Sequence, residues 1–354
     1  MSPDRRSSLS DFDYDLPAEL IAQRPPARRG DSRLLLVRRA DGRTGGRAEE
    51  AFEDRVFPDL ATLIPSSDLL VLNTTRVRHA RFIGTRPSGA PAEVLLIHPA
   101  PNGGWVALGK PGSALRPGKR VRIGPDAFVE TVEVLEDGNR VIRFVGTTAE
   151  EAMQRFGRLP LPPYITREPD QSDEDRYQTV FADREGSVAA PTAGLHFTPQ
   201  LLVALGERGV RLGTLELEVG PGTFKPVETE ILSDHVMHPE RYQISADLAE
   251  GIGATRALGG TIWAAGTTVV RALESAAEKG GKVRAGADET RLFITPGYRF
   301  KVVDRLITNF HLPRSTLLML VSAFAGAETV RTAYRHAIEE RYRFYSYGDA
   351  MVVI

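Results

Sequence analysis

The sequence of 354 residues contains no cysteine, which excludes disulfides, thiolate metal sites and cysteine nucleophiles. It also lacks an apolar run of about 18 residues, so we expect no membrane-spanning helix. The N-terminal stretch MSPDRRSSLS has no apolar segment typical of a secretion signal, and its composition predicts disorder over residues 1–10. These absences predict a cytoplasmic protein.

The charge is nearly balanced, with a formal net charge of −1, which is not typical of a nucleic-acid-binding protein. The arginines are nevertheless unevenly distributed. Eight lie between positions 24 and 47, and four more, with His79 and no acidic residue, lie between positions 76 and 86. This pattern fits scattered solvated arginines as well as it fits a phosphate-binding face.

The pattern of the chain changes twice. Between residues 68 and 146, short β-forming runs are separated by Gly, Pro, Asn and Asp, with no helical periodicity, which is typical of an antiparallel barrel or sandwich. After residue 146, strand and helix patterns alternate, which predicts an α/β layer structure. We therefore predict a mixed α/β layered main domain, residues 1–67 and 147–354, with an inserted antiparallel β-barrel domain, residues 68–146. A helix start near Asp15 and a strand over Arg291–Ile294 are further expectations.

Polar residues gather where predicted strands end. LNTTRVRHARF follows a strand with Asn73, Thr75, Arg76 and Arg81, whose amide, hydroxyl and guanidinium donors suit a phosphate or carboxylate. An ordinary polar turn explains the same residues.

The stretch AAPTAGLHFT contains Thr192, Gly194, His196 and Thr198. Thr198 predicts a helix N-cap, with Pro199 in the first turn, and helix N-termini attract anions. His196 is then a candidate general acid or base. A histidine satisfied by backbone groups in a packed loop is the simpler alternative for a lone His.

Two weaker signals follow. EVGPGTF contains Gly220, Gly222 and Thr223, where the backbone can approach a ligand closely. DHVMHPERY spaces His235 and His238 by three residues. This spacing on a helix is compatible with a metal, but the pattern is not HExxH, and we predict no metal site.

Two strand-to-helix junctions complete the set. AAGTTVVRALE contains Gly266, Thr267, Thr268 and Arg271, which predict a carboxylate site at a positive helix end or, equally, a simple capped helix. LITNFHLPRSTLL places Asn309, His311, Arg314 and Ser315 at another junction. Because ligands of open α/β sheets bind at the carboxyl ends of strands, we expect these junctions to share one cleft.

These stretches, together with YQTVFA and YRFYSYGDAM, run in order from about Tyr14 to Ile354. They resemble the S-adenosylmethionine:tRNA ribosyltransferase-isomerase family of queuosine biosynthesis. The resemblance implies transfer of the ribosyl group of S-adenosylmethionine to 7-aminomethyl-7-deazaguanine at the tRNA wobble position. Epoxyqueuosine forms, and adenine and methionine leave. It also implies an α/β fold with an inserted barrel.

The implied chemistry needs a base, because a sulfonium acidifies the adjacent C5′–H, and an acid that protonates the departing adenine. His196 and His311 are the first candidates, because imidazole titrates near neutrality, and His235 and His238 are second choices.

The other roles that the resemblance implies are binding roles. The methionine carboxylate is expected on Thr267, Thr268 and Arg271. We expect tRNA phosphates on Arg76, Arg81 and Arg314, and base or ribose edges on Asn73, Asn309 and Asp349. The partners are S-adenosylmethionine, which is consumed, and the tRNA. No further cofactor, metal, membrane or obligate protein partner is expected, and the chain is expected to be a monomer.

The sequence departs from the family pattern at several positions. Thr74 stands where the family has Asp, and Glu218 and Pro221 stand where it has His and Ala. Arg256 replaces a Lys, and Thr261 replaces an Arg. These departures keep open a relative that uses a small deazapurine or another nucleoside as acceptor.

Two other classes of function stay open on the residues alone. One is a metal hydrolase that uses the four histidines His196, His235, His238 and His311. The other is a non-catalytic RNA-binding module, although the barrel segment has only four aromatic residues to stack on bases.

Overall fold

The computed structural model describes residues 8–39, 52–101, 103–224, 227 and 229–354. The strands are β1 (Arg33–Val37), β2 (Phe52–Val56), β3 (Leu69–Asn73), β4 (Arg76–Val77), β5 (Arg81–Thr85), β6 (Pro91–Pro99), β7 (Trp105–Lys110), β8 (Arg120–Arg122), β9 (Phe128–Val134), β10 (Arg140–Val145), β11 (Glu185–Ser187), β12 (Arg211–Leu217), β13 (Glu240–Ile244), β14 (Ile262–Ala265), β15 (Gly286–Thr290), β16 (Arg305–Asn309) and β17 (Ala350–Val353). The helices are α1 (Leu60–Leu63), α2 (Ala149–Phe156), α3 (Gln171–Arg176), α4 (Pro199–Glu207), α5 (Ala246–Ala257), α6 (Thr267–Ser275), α7 (Thr316–Ala325) and α8 (Ala327–Glu339).

A nine-stranded sheet in the order β15-β13-β12-β3-β14-β16-β17-β1-β2 forms the centre of the molecule. The strands β12, β3, β14 and β16 are mutually parallel, so their carboxyl ends lie at the same edge. The expected mixed α/β layer structure is confirmed.

Helices cover both faces of the sheet, because side chains of its inner strands alternate between two apolar cores. Leu69 and Val71 of β3 belong to the core under α5 to α8, whereas Leu70 and Leu72 belong to the core under α1 and α4. The sequence of a strand that is buried on both faces is a continuous apolar run, not an alternation of apolar and polar residues. This is why LLVLN shows no polar face.

The strands β5 to β10 close into a barrel in the order β10-β7-β6-β5-β8-β9. Phe82, Val94, Val129 and Ile142 fill its interior. Helix α2 packs on the same core through Ala152 and Phe156. The short strands β4 and β11 pair in parallel. In the chain, β4 lies between β3 of the large sheet and β5 of the barrel, and β11 lies between the barrel and β12.

Three expectations need correction. Strand β3 lies in the large sheet, although we assigned residues 68–146 to the barrel domain, because a doubly buried parallel strand has the composition of its β-rich neighbours. The predicted strand Arg291–Ile294 forms instead at Gly286–Thr290, where β13 offers a partner edge. Near Asp15 the chain forms only the short 3-10 turns Leu9–Phe12 and Ala18–Leu20.

The N-terminal tail was expected to be disordered over residues 1–10. Residues 1–7 lie outside the described residues, whereas Leu9 is buried in the core within the first 3-10 turn. Within the described part of the chain, no helix has the length and apolar character needed to cross a membrane.

The start of β3 is held by the buried carboxylate of Asp68. It accepts hydrogen bonds from the backbone N–H of Thr261 (2.9 Å), the Thr261 hydroxyl (2.6 Å) and Trp263 Nε1 (2.7 Å). Burial alone would raise the pKa of Asp68, but these hydrogen bonds lower it. One side chain therefore ties β3 to the start of β14.

We expect Asp68→Ala to lower the free energy of unfolding by about 2–4 kcal/mol, because it leaves buried donors of Thr261 and Trp263 without an acceptor. Urea unfolding followed by circular dichroism measures the change. Asp247→Ala, at an exposed position of α5, is the matched control and should shift stability by less than about 0.5 kcal/mol. Equal effects of the two substitutions would contradict this role of Asp68.

Candidate active site

A narrow cleft opens at the edge where β3, β12, β14 and β16 end. We call it the inner cleft, lined among others by Tyr164, Thr192, Thr223, Gly266, Thr267, Thr268, Asn309, His311 and Tyr345. Five of the stretches that we selected from the sequence meet here. Parallel strands bring them together because consecutive strand-to-helix turns emerge at one edge.

The β14-to-α6 turn supplies one wall. Gly266 has φ 102°, in the left-handed region that favours glycine, and this allows α6 to start immediately after the strand. Thr267 and Thr268 are buried at the first two positions of α6. The free backbone N–H groups of this helix end therefore lie at the inner cleft.

The side-chain amide of Asn73 makes its hydrogen bonds to other groups of the protein. Its Oδ1 accepts from the backbone N–H groups of Thr75 and Leu217, both at 3.1 Å, and its Nδ2 donates to the Leu217 carbonyl and Thr268 Oγ1. Thr75 is likewise engaged, by Ser187 Oγ at 2.7 Å. Of these two residues, both expected to bind substrate, Asn73 connects β3 to β12 and α6, and Thr75 connects the end of β3 to β11.

His311 lines the inner cleft and is buried. The Thr308 hydroxyl donates to the Asn309 carbonyl and lies 2.7 Å from His311 Nε2. Thr308 therefore engages Nε2 of the His311 imidazole. Burial lowers the pKa of His311 to about 3. The imidazole is neutral at physiological pH, which is the form that accepts a proton.

His196 lies behind the inner cleft, against the Phe57 ring. Its Nδ1 is 2.8 Å from Ser32 Oγ, and its Nε2 is 3.1 Å from Asn309 Nδ2. Burial lowers the pKa of His196 to about 4, so a neutral ring accepts from Asn309 and donates to Ser32. With both nitrogens engaged, His196 has the geometry of a positioning residue and not of an acid or base.

Asn309 is the residue that His196 positions. Its Nδ2 also donates to the Tyr345 carbonyl at 3.0 Å. Its Oδ1 is buried and has no hydrogen-bond partner among the residues that the structure describes. Because Asn309 lines the inner cleft, this oxygen is an acceptor available to a substrate N–H or O–H group.

A second cavity adjoins the inner cleft, and both are lined by Thr223 and Leu317. We call it the Arg271 cavity, lined by Gly220, Gly222, Thr223, His235, His238, Glu240 and Arg271 with Thr229, Met237, Thr316 and Leu317. Burial and the neighbouring His238 lower the pKa of His235. Within the described residues, no group of three or more His, Asp or Glu side chains is arranged to hold a metal ion.

Several residues that were predicted to bind substrate make contacts within the protein instead. Thr198 and Ser315 are helix N-caps, accepting from the backbone N–H groups of Leu201 and Leu318. Gly194 packs against Thr179 and Phe181. Asp349 accepts from the backbone N–H groups of Arg33 and Arg343, both through its carboxylate. None of these four residues lines the inner cleft or the Arg271 cavity.

Each of the three arginines expected to bind phosphate contacts protein groups. Arg76 donates to the Ala182 and Asp183 carbonyls, and Arg314 pairs with Asp13. Arg81 pairs with Glu93 and Glu168.

Arg81 also lines a large groove between the barrel and the segment 160–168. We call it the barrel-side groove, lined among others by Arg81, Lys110, Pro162, Arg167 and Pro221.

The residues that sequence reasoning missed are mainly tyrosines. Tyr164 and Tyr345 line the inner cleft with ring centroids 4.7 Å apart, and Tyr164 Oη lies 2.6 Å from Ser346 Oγ. Burial raises the pKa of Tyr345 to about 12, so its phenol stays protonated. Tyr345 lies in the stretch YRFYSYGDAM, but the aromatic residues of that stretch are also typical of a core.

The departures from the family pattern fall in different places. Thr261 contacts Asp68, and Arg256 pairs with Asp304 at 3.2 Å, at the edge of the sheet opposite the inner cleft. Thr74 Oγ1 donates to the Leu215 carbonyl. Glu218 has an electrostatic effect: burial lowers the pKa of Arg78, and the nearby Glu218 carboxylate partly offsets this.

Comparison with known proteins identifies relatives along nearly the whole chain. The family model described as "Queuosine biosynthesis protein" matches residues 9–353. The S-adenosylmethionine:tRNA ribosyltransferase-isomerase of Ralstonia nicotianae is 54% identical over 97% of this chain and 94% of its own. The enzyme of the same name from Symbiobacterium thermophilum is 50% identical over 98% of this chain and 99% of its own. A crystal structure of S-adenosylmethionine tRNA ribosyltransferase from Thermotoga maritima is 35% identical, with a TM-score of 0.55, covering 97% of this chain and 100% of that one. The family resemblance of the motifs is confirmed.

The low pKa values of His196 and His311 predict acid sensitivity. The unfolded chain takes up protons near pH 6.5, whereas the folded chain resists them until about pH 4 and 3. Stability is therefore lost as pH falls below 6.5. From pH 7 to 5.5 each histidine should cost about 1 kcal/mol of unfolding free energy.

Urea unfolding at the two pH values tests this expectation. His196→Gln and His311→Gln should each reduce the unfolding free energy that is lost between pH 7 and pH 5.5. The control is His98→Gln, at a solvent-accessible position on β6, which should lose as much unfolding free energy as the wild type. The same pH-dependent loss in all three variants would disprove it.

Proposed function

Since the chain belongs to the family of queuosine biosynthesis proteins, we propose that it is a ribosyltransferase-isomerase that acts on tRNA. It transfers and isomerises the ribosyl group of S-adenosylmethionine onto 7-aminomethyl-7-deazaguanine at the wobble position of the anticodon. Epoxyqueuosine is the product, with release of adenine and methionine. The observation that carries the proposal is the match to relatives of this activity at 50–54% identity over nearly the whole chain.

The inner cleft is the proposed site of the chemistry. Its walls carry neutral groups: the His311 imidazole, the Thr267 and Thr268 hydroxyls and the Tyr345 phenol. A sulfonium is cationic, and the faces of Tyr164 and Tyr345 offer it cation–π contact in a poorly solvated space. Neutral walls leave the positive charge of the sulfonium in place, and that charge is what acidifies the C5′–H bond.

His311 is the proposed general base. In the tautomer that we propose, Nε2–H donates to Thr308 Oγ1, 2.7 Å away, and Nδ1 is the basic atom. Nδ1 has no hydrogen bond within the described residues, and the ring lines the inner cleft. Because the pKa is near 3, the base is neutral over the whole physiological range. The rate is therefore not expected to show an inflection near pH 6.5 from this group.

Asn309 is the proposed hydrogen-bond acceptor for the substrate, with His196 behind it as a positioning residue. The phenols of Tyr164 and Tyr345 are the proposed donors. This assignment replaces the expectation that His196 is a catalytic acid or base. It follows from the engagement of both His196 nitrogens.

The barrel-side groove is the proposed approach of the tRNA. Lys110 is exposed at the end of β7 and has no ion-pair partner within the described ranges, and Arg81 and Arg167 add guanidinium groups. The groove and the Arg271 cavity meet at the turn after β12, where Pro221 lines the first and Gly220 and Gly222 line the second. S-Adenosylmethionine is consumed as a substrate, and we propose no resident cofactor and a cytoplasmic monomer.

Adenine and methionine release from S-adenosylmethionine tests the reaction, with tRNA carrying 7-aminomethyl-7-deazaguanine and, in parallel, with the free base. Release should require the tRNA. His311→Ala should lower kcat by about 100- to 10,000-fold, the range for loss of a general base, with substrate binding retained. His98→Ala is the control and should match the wild type. Release with the free base alone, or full activity of His311→Ala, would refute the corresponding assignment.

Lys110→Gln should weaken tRNA binding and reduce the slope of log K against log salt concentration by roughly 0.7–0.9 for each phosphate that the side chain neutralises in the wild type. Fluorescence titrations with labelled tRNA at several salt concentrations give both quantities. Lys119→Gln, an exposed barrel lysine outside the groove, should leave the affinity and the slope unchanged. If both substitutions act alike, the tRNA does not use this groove.

A further inference from the structure

The backbone of His311 lies in the turn between β16 and α7, outside any helix or strand. Within the described part of the chain, neither its N–H nor its C=O bonds to another backbone group. Because the residue is buried, an unpaired backbone group would be unfavourable at this position. The partners of both groups are instead side chains that are distant in the sequence.

Two tyrosine hydroxyls supply these partners. Tyr334 Oη accepts from the His311 N–H at 2.9 Å, and Tyr14 Oη donates to the His311 carbonyl at 2.5 Å. The N–H belongs to the planar peptide group that precedes the Cα atom of His311, and the C=O belongs to the one that follows it. The two hydroxyls therefore fix both backbone torsion angles of His311.

The rings that carry these hydroxyls are fixed by packing. The Tyr14 and Tyr334 ring centroids lie 5.2 Å apart in an edge-to-face arrangement, and Phe344 packs against both rings. Burial raises the pKa of both phenols, so each keeps its proton at neutral pH. The hydrogen bond from Tyr14 to the carbonyl is therefore retained over the physiological pH range.

The segment that carries Tyr14 contacts the same turn at two further points. The Phe12 carbonyl accepts from the backbone N–H of Arg314 at 2.9 Å, and Asp13 accepts from Arg314 Nε at 2.8 Å. Arg314 has φ 55°, in the left-handed region where a side chain causes backbone strain. The contacts with residues 12–14 therefore stabilise a conformation of the turn that its own sequence disfavours.

The imidazole of His311 has a separate contact, the Thr308 hydroxyl 2.7 Å from Nε2. One contact at Nε2 does not determine where Nδ1 points, because the ring can turn about it. Fixing the backbone of His311 as well removes this freedom. The direction of Nδ1 matters because a displacement of about 1 Å in a reacting group can lower a rate about 100-fold.

We propose that Tyr14 and Tyr334 are positioning residues for the general base: their hydroxyls fix the backbone of His311 and so keep Nδ1 directed at the substrate. This inference rests on the proposed function and deepens it. Neither tyrosine lines the inner cleft, so both act through His311 and not on the substrate. The N-terminal segment 12–14 thereby takes part in the reaction as well as in the fold.

The test uses Tyr14→Phe and Tyr334→Phe, which each remove one hydroxyl and keep the ring. With S-adenosylmethionine and the modified tRNA, each should lower kcat for adenine release by about 10- to 100-fold and leave KM within about twofold of the wild type. Substrate deuterated at C5′ should give an isotope effect on kcat clearly above 1 in both variants, because proton abstraction is then slow. An isotope effect near 1 in both variants would overturn the proposal.

Tyr298→Phe is the matched control. Tyr298 Oη donates to Glu274 at 3.1 Å, and Tyr298 lines neither the inner cleft nor the Arg271 cavity. Its loss should lower stability by a similar amount and leave kcat unchanged. A decrease in kcat as large as that of the other two tyrosine variants would contradict a specific role of Tyr14 and Tyr334.

The His311→Ala background distinguishes positioning from a general structural role. Once the base is removed, Tyr14→Phe and Tyr334→Phe should change the residual kcat by less than about twofold, because no imidazole remains to be positioned. If the two substitutions lower kcat by the same factor with and without His311, they do not act through it.

Amide hydrogen exchange separates this proposal from the reaction itself, since it needs no substrate. If the wild type releases no adenine, the proposed reaction fails, but the contact is still tested by NMR. The His311 N–H should exchange at least about tenfold faster in Tyr334→Phe than in the wild type, and at the wild-type rate in Tyr298→Phe. Equal exchange in the wild type and Tyr334→Phe would overturn the proposal.

Discussion

The architecture depends on one buried strand, β3, which is held at both ends by a polar side chain. Asp68 at its start accepts hydrogen bonds from Thr261 and Trp263, and Asn73 at its end bonds both β12 and α6. Since β3 is central to the parallel strands, its position sets where β12 and β14 end. The inner cleft is the space that these ends enclose.

Burial then decides the chemistry of the groups that surround this space. His196 and His311 have pKa values lowered to about 4 and 3, and the pKa of Tyr345 is raised to about 12. The inner cleft is therefore neutral near pH 7. The fixed charges lie beside it, as the Arg271–Glu240 pair and in the barrel-side groove. This separation suits a cationic sulfonium substrate beside a polyanionic RNA.

The sequence predicted which segments would meet but not which side chains would face the cleft. Thr267, Asn309 and His311 line it as expected, because strand ends of a parallel sheet share an edge. His196 and Asp349 do not, although their motifs are as polar. Their orientation depends on partners distant in the chain, Ser32 for His196 and the backbone of Arg33 for Asp349, which local patterns do not reveal.

By itself, the sequence determined the alternation of helices and strands and the strand-to-helix junctions, because periodicity and turn residues are local properties. Its motifs also determined the family. Only the tertiary structure decided that β3 belongs to the large sheet, that His196 supports Asn309, and that Glu240 meets Arg271 across 31 positions of chain. Hydrogen bonds and ion pairs between distant residues arise from packing, and packing also sets the burial that shifts their pKa values.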